Sequence, residues 1–175
     1  LGALKSTQIA ALTNTQIGGL TTTGVAALTT TQLGGLSATH IGVLTTTQLG
    51  ALTTTEVAVL TTAQVAGLTS GQISAFTTTQ IGALTTTQIG GLTATQVKGF
   101  ETTDIAALTT TQLGGLKSTQ IAAFTTTQIG GLTTTEVAAL TTTQLGGLTA
   151  SQIGAAAPAG GTEIIIEFGP NSGPR

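Results

Sequence analysis

The sequence predicts an all-α repeat protein, a solenoid or superhelix of very short capped helices, one per eight residues. Three observations carry that expectation. Residues 5–156 divide into nineteen octads without insertion or deletion. Position one is usually Thr and position four usually Gln, the spacing of a helix-capping box. Position five is always Ile, Leu or Val, positions six and seven are usually small, and position eight is Leu or Phe until Ala156 closes the last unit.

The helix start comes from the cap. A Thr hydroxyl at position one accepts from the backbone N–H three residues on, and the Gln side chain reaches back to the Thr N–H. Thr13 with Gln16, Thr109 with Gln112 and Thr141 with Gln144 are examples. The preceding Leu and the residue at position five then form the hydrophobic staple of the same motif, as Leu108 and Leu113 do around Thr109 and Gln112. The small pair ends the helix, and Gly there can take the left-handed conformation that stops one.

Other arrangements fit less well. Eight residues turn an ideal helix about 80° beyond two full turns, so one continuous helix would wind its apolar stripe around itself. In a strand, positions five and eight would face opposite sides. The Thr triplets do favour extended backbone, so a β-solenoid is the alternative fold. A single octad cannot stand alone. Ordering it costs on the order of 12 kcal/mol, and burying its Ile and Leu returns only about 2–3 kcal/mol apiece. Neighbouring octads must supply the rest.

A second period overlies the first. Ala10-Ala11, Gly18-Gly19, Ala26-Ala27 and Gly34-Gly35 alternate, and the alternation returns from Ala106-Ala107 to Gly146-Gly147. It blurs between, as at Gly42-Val43, Ala58-Val59, Ser74-Ala75 and Lys98-Gly99. This suggests pairing into 16-residue units and two octads per superhelical turn. The array thus occupies residues 1–156. Residues 157–161 read as a linker or cap. Residues 162–175 read as a β-strand and a turn-rich tail, with Glu163 and Glu167 as its solvated flanks. All three prolines lie beyond the array, as expected where Pro would break its backbone pattern. Because the chain begins in the phase of the repeat, it reads as a fragment or a processed product.

Composition narrows function by exclusion. Net charge is −2 and the four basic residues, Lys5, Lys98, Lys117 and Arg175, are scattered, which argues against nucleic acid. A polar triplet interrupts every apolar run, so no transmembrane segment is expected. There is no Cys, which removes disulfides and Cys-based metal sites. His40 is the only histidine and occupies a capping position. Glu56, Asp104 and Glu136 occupy the same position in other octads, 48 and 32 residues apart, where a carboxylate suits a helix N-terminus. No phosphate-binding Gly motif is present. No catalytic, cofactor-binding or metal residues, and no cofactor, are therefore expected.

The Thr rows are the one feature with binding potential. Position three is Thr in nearly every octad and otherwise Ala63, Gly71 or Ser151, whereas position one accepts Lys5, Glu101 and Lys117. Position three is expected to be packed or presented on a flat face, and position two merely exposed. Thr15, Thr23, Thr31, Thr111, Thr127 and Thr135 would belong to the ladder.

The octad L-[TS]-x-x-[QE]-[ILV]-x-[AG], from Leu1 to about Gly154, resembles runs in very large, repetitive exported bacterial proteins of the adhesin or surface-fibre kind. That resemblance implies a spacer, stalk or filament outside the cell or at its surface. The expectation is a non-enzymatic structural protein that self-associates into an oligomer or filament. The alternative is an ice- or glycan-binding solenoid that uses its Thr ladders.

Overall fold

A computed structural model of the chain describes residues 3–156. Across them run eighteen short α-helices and one 3₁₀ helix, one to each octad. Most are five residues long, such as Asn14–Gly18 and Thr110–Gly114. No strand occurs among the described residues, so the β-solenoid alternative falls. The linker and the β-strand expected over residues 157–175 lie outside the described residues.

Octads are numbered here in chain order, so octad 1 is residues 5–12 and octad 19 is residues 149–156. Each helix packs on the helix three octads further on: octad 1 on octad 4, octad 2 on octad 5, and octad 16 on octad 19. One coil therefore takes three octads, which corrects the expected two. The burial pattern gives the same count. Gln8, Gln16 and Gly24 at position four lie open or half-open, and from Gln32 onward every position-four residue is buried. A position-four side chain is covered only when a coil lies beneath it, and that takes three octads. Phe76, Phe100 and Phe124 close octads 9, 12 and 15, 24 residues apart, and all are buried. The rings of Phe100 and Phe124 meet with centroids 6.4 Å apart. Successive coils stack these aromatics in one column.

The core is a repetitive one. Position five is fully buried from Ile9 to Ile129, and position eight is buried from Leu28 to Leu140. Leu4, Leu12 and Leu20 of the first coil are only partly covered. This is the behaviour of a solenoid, where each unit buries its apolar face against its neighbours.

The Gly residues do not end helices by the expected route. Gly19, Gly91, Gly115 and Gly131 close their helices with φ between −76° and −85°, in the right-handed region. Their value is size. A Cβ on Gly115 would lie 2.9 Å from the Thr86 carbonyl, and one on Gly147 would lie 2.9 Å from the Ser118 carbonyl. Backbones of successive coils approach too closely there for any side chain.

Candidate functional site: the threonine flanks and the glutamine seam

Stacking three octads per coil produces three flanks. Octads 1, 4, 7, 10, 13, 16 and 19 form one, octads 2, 5, 8, 11, 14 and 17 the second, and the remaining six the third. At the entry of each helix the Thr hydroxyl and the Gln amide act as a pair. Thr13 N–H donates to Gln16 Oε1 at 2.8 Å, and Gln16 N–H donates to Thr13 Oγ1 at 3.2 Å. The same two bonds join Thr109 with Gln112 at 2.8 and 3.1 Å, and Thr141 with Gln144 at 2.9 and 3.2 Å. At Lys5 and Lys117 the return half remains, with the backbone N–H donating to Gln8 and Gln120 Oε1.

The Gln side chain has a second task, which capping alone does not reveal. Its Nε2 donates to backbone carbonyls of the chain entering the helix beneath. Gln64 reaches the carbonyls of Leu33 and Leu36 at 2.7 and 2.8 Å, and Gln144 reaches those of Leu113 and Leu116 at 2.9 and 2.7 Å. Gln112 reaches Gly82 and Leu84 at 3.0 and 2.8 Å. The acceptors lie 28 to 31 residues back. Each such amide uses its oxygen within the octad and both N–H groups between coils, so a buried polar side chain is fully satisfied. Gln16, in the first coil, makes the cap bonds only. These bridges form a seam up each flank. A signal for it was present: capping accepts Glu as readily as Gln, yet fourteen of the nineteen octads have Gln. That preference points to a need for the amide N–H groups.

Where Gln is replaced, the seam changes. His40 Nδ1 accepts from Ser37 N–H at 3.3 Å. Glu56 Oε2 accepts from Thr53 N–H at 2.7 Å and from its hydroxyl at 2.9 Å. The Asp104 carboxylate has no N–H to give the carbonyls below. It accepts instead from Glu101 N–H and from the Thr78 hydroxyl of the preceding coil, each at 3.0 Å. Glu136 Oε2 accepts from Thr133 N–H at 2.6 Å, while its buried Oε1 has no hydrogen-bond partner.

Of the two options for the third Thr, packed or presented, the burial pattern selects one. Position three is exposed in every octad, so it is presented rather than packed. Position two is exposed in most octads as well, and half-buried only at Ser6, Ala38, Ser70, Thr102 and Ser118, where coils come close. Ser118 lies beneath Gly147, Thr86 beneath Gly115 and Thr102 beneath Gly131. Of the ladder candidates, Thr15, Thr111 and Thr135 share the second flank. Thr31 and Thr127 lie on the first, and Thr23 on the third. All six are exposed. The exposed charged side chains among the described residues are Lys5 and Glu101 on the first flank and Lys98 and Lys117 on the third. The second flank presents none over its six coils and includes Val43, which is 38% exposed. No group of three or more His, Cys, Asp or Glu comes together among the described residues, and no helix there is long and apolar enough to cross a membrane.

Geometry and sequence together define an all-helical repeat solenoid whose coils are joined by side-chain amides. More specifically, the chain belongs to the ALTTAQ repeat family: the family's model matches residues 1–30, 25–54, 46–78 and 97–134, more than half of the chain. No curated protein and no solved structure matches it.

Proposed function

We propose that the array is a non-enzymatic structural element, a stalk or fibre-forming segment of an assembly outside the cell or at its surface. The observation that carries this reading is the seam. Coil after coil is fastened to the one before by the same amide bridge, over one continuous apolar core. Such construction makes length by addition of units, with contacts only between neighbours. The nearly uncharged flanks favour self-association, since charge is what normally keeps protein surfaces apart. Electron microscopy of the purified chain, with sedimentation velocity across a concentration series, tests it. Filaments or laterally associated rods are expected. A strictly monomeric species at all concentrations refutes self-association.

A second reading has one specific observation in its favour. The second flank presents exposed Thr at position three, as at Thr15, Thr87, Thr111 and Thr135, with no exposed charge among its described residues. A regular uncharged hydroxyl face suits an ordered lattice such as ice or a polysaccharide. Thermal hysteresis of the monomer, lost when Thr87 and Thr111 become Lys, is the expected result under this reading. No hysteresis and no retention on polysaccharide resins refute it.

A further inference from the structure

The seam is not uniform, and its gaps fall at named places. From Gln48 on, each Gln at position four donates from Nε2 to at least two carbonyls of the coil beneath: Gln80 to Leu49 and Leu52, Gln88 to Val57 and Leu60, Gln128 to Val97 and Phe100. A carboxylate is an acceptor and cannot make these bonds. By the register of the neighbouring octads, the carbonyls left without an amide are those of Leu28 and Val25 beneath Glu56, and of Leu108 and Ile105 beneath Glu136. Both carboxyl groups are buried, Glu56 at 8% and Glu136 at 3% exposure. At Glu136 the mismatch is visible directly, since Oε1 is enclosed and unpartnered. Asp104 is the contrasting case, because the Thr78 hydroxyl crosses the junction to meet it, and Ser74 donates to Glu101 beside it. We infer that the junctions at Glu56 and Glu136 are built-in yield points, where the solenoid opens before its glutamine-bridged coils do. The array is then a set of stiff segments joined at weaker seams, rather than a uniform rod.

Hydrogen exchange on the full chain, read by mass spectrometry, tests it. Glu56 is the better probe because it lies well inside the array. Peptides from residues 53–60 are expected to exchange faster than peptides from residues 61–68 and 77–84, whose octads hold Gln64 and Gln80. Glu56→Gln restores the two missing bridges and matches the commoner residue of the repeat. At about 1 kcal/mol per hydrogen bond, it is expected to slow exchange at residues 53–60 by about 30-fold. The reverse change, Gln80→Glu, is expected to create a new fast-exchanging junction at residues 77–84. Equal exchange in the parent chain overturns the inference. So does a Glu56→Gln variant with unchanged rates, because the missing amide bridges would then cost the junction nothing. A variant slowed uniformly along the whole chain also overturns it, because the array would then open as one unit.

Discussion

Replacing Gln80 with Ala separates the two tasks of the position-four glutamine. Gln80 is 4% exposed. Its Oε1 accepts from Thr77 N–H at 2.9 Å, and its Nε2 donates to the Leu49 and Leu52 carbonyls at 3.1 and 2.7 Å. Truncation orphans one N–H and deprives two carbonyls of a donor. Leaving a buried polar group unsatisfied costs about 1–3 kcal/mol. The Leu49 carbonyl keeps its bond from Leu52 N–H, so its loss lies at the low end. The whole change is expected to cost about 3–5 kcal/mol. The control is Gln8→Ala. Gln8 caps its helix by accepting from Lys5 N–H at 2.8 Å, but it is exposed on the first coil and no coil lies beneath it. That variant is expected to cost about 1 kcal/mol, the ordinary worth of a cap. Urea denaturation followed by circular dichroism at the helical minimum measures both. If the two variants shift the midpoint equally, the amide bridges contribute nothing and the seam is only a row of caps.

Other consequences can be checked the same way. Gly115→Ala and Gly114→Ala differ by one residue and are expected to differ in sign. A Cβ at Gly115 meets the Thr86 backbone and should destabilise by about 1–3 kcal/mol. One at Gly114 meets nothing within 4 Å and should stabilise by about 0.5–1 kcal/mol. Thr109→Ala removes the hydroxyl that accepts from Gln112 N–H and should cost about 1 kcal/mol, whereas the exposed Thr111→Ala should stay within about 0.5 kcal/mol of neutral. Phe100→Ala opens the stacked column between Phe76 and Phe124 and should cost about 3–5 kcal/mol, read as a lowered denaturation midpoint.

The local structure was legible because it is local. A capping box needs only residues three apart, so Thr109 and Gln112 define their helix from sequence alone. The number of octads per coil was not, because it depends on contacts 24 or more residues apart that no single octad contains. One signal did encode it. Phe76, Phe100 and Phe124 repeat at that spacing, and aromatics that must stack are placed where they can meet. The alternation of Ala and Gly pairs was easier to see, and it suggested a shorter period than the coil has. Whether position three is packed or presented stayed open in the sequence for a related reason. A column that accepts only small residues looks packed, but position three is small and exposed. Position two varies among Thr, Ser, Ala and Asn, and the structure places several of its Ser and Ala residues against glycines of the next coil, as Ser118 lies against Gly147. The second task of Gln could not be read from spacing at all, and only the preference for an amide over a carboxylate hinted at it.

The two periods become consistent once the coil is known. Three is odd, so an alternation with period two sets unlike octads against each other along every flank. Octad 4, with Gly34-Gly35, lies on octad 1, with Ala10-Ala11. Octad 16, with Gly130-Gly131, lies on octad 13, with Ala106-Ala107, and octad 18, with Gly146-Gly147, lies on octad 15, with Ala122-Ala123. A glycine at position seven accepts the chain of the coil beneath, as Gly35 does at Ser6 and Gly147 at Ser118. Had the coil held two octads, every flank would have been all glycine or all alanine. The rule fails where the alternation fails. Octads 11 and 14 both hold Gly-Gly and sit on each other, and a Cβ on Gly90 would stand 2.8 Å from the Gly115 carbonyl. The coils there touch backbone to backbone with no side chain between them. What the stacking requires is glycine at position seven wherever the coil beneath comes close, as at Gly35, Gly67, Gly99 and Gly147, with or without the sixteen-residue alternation.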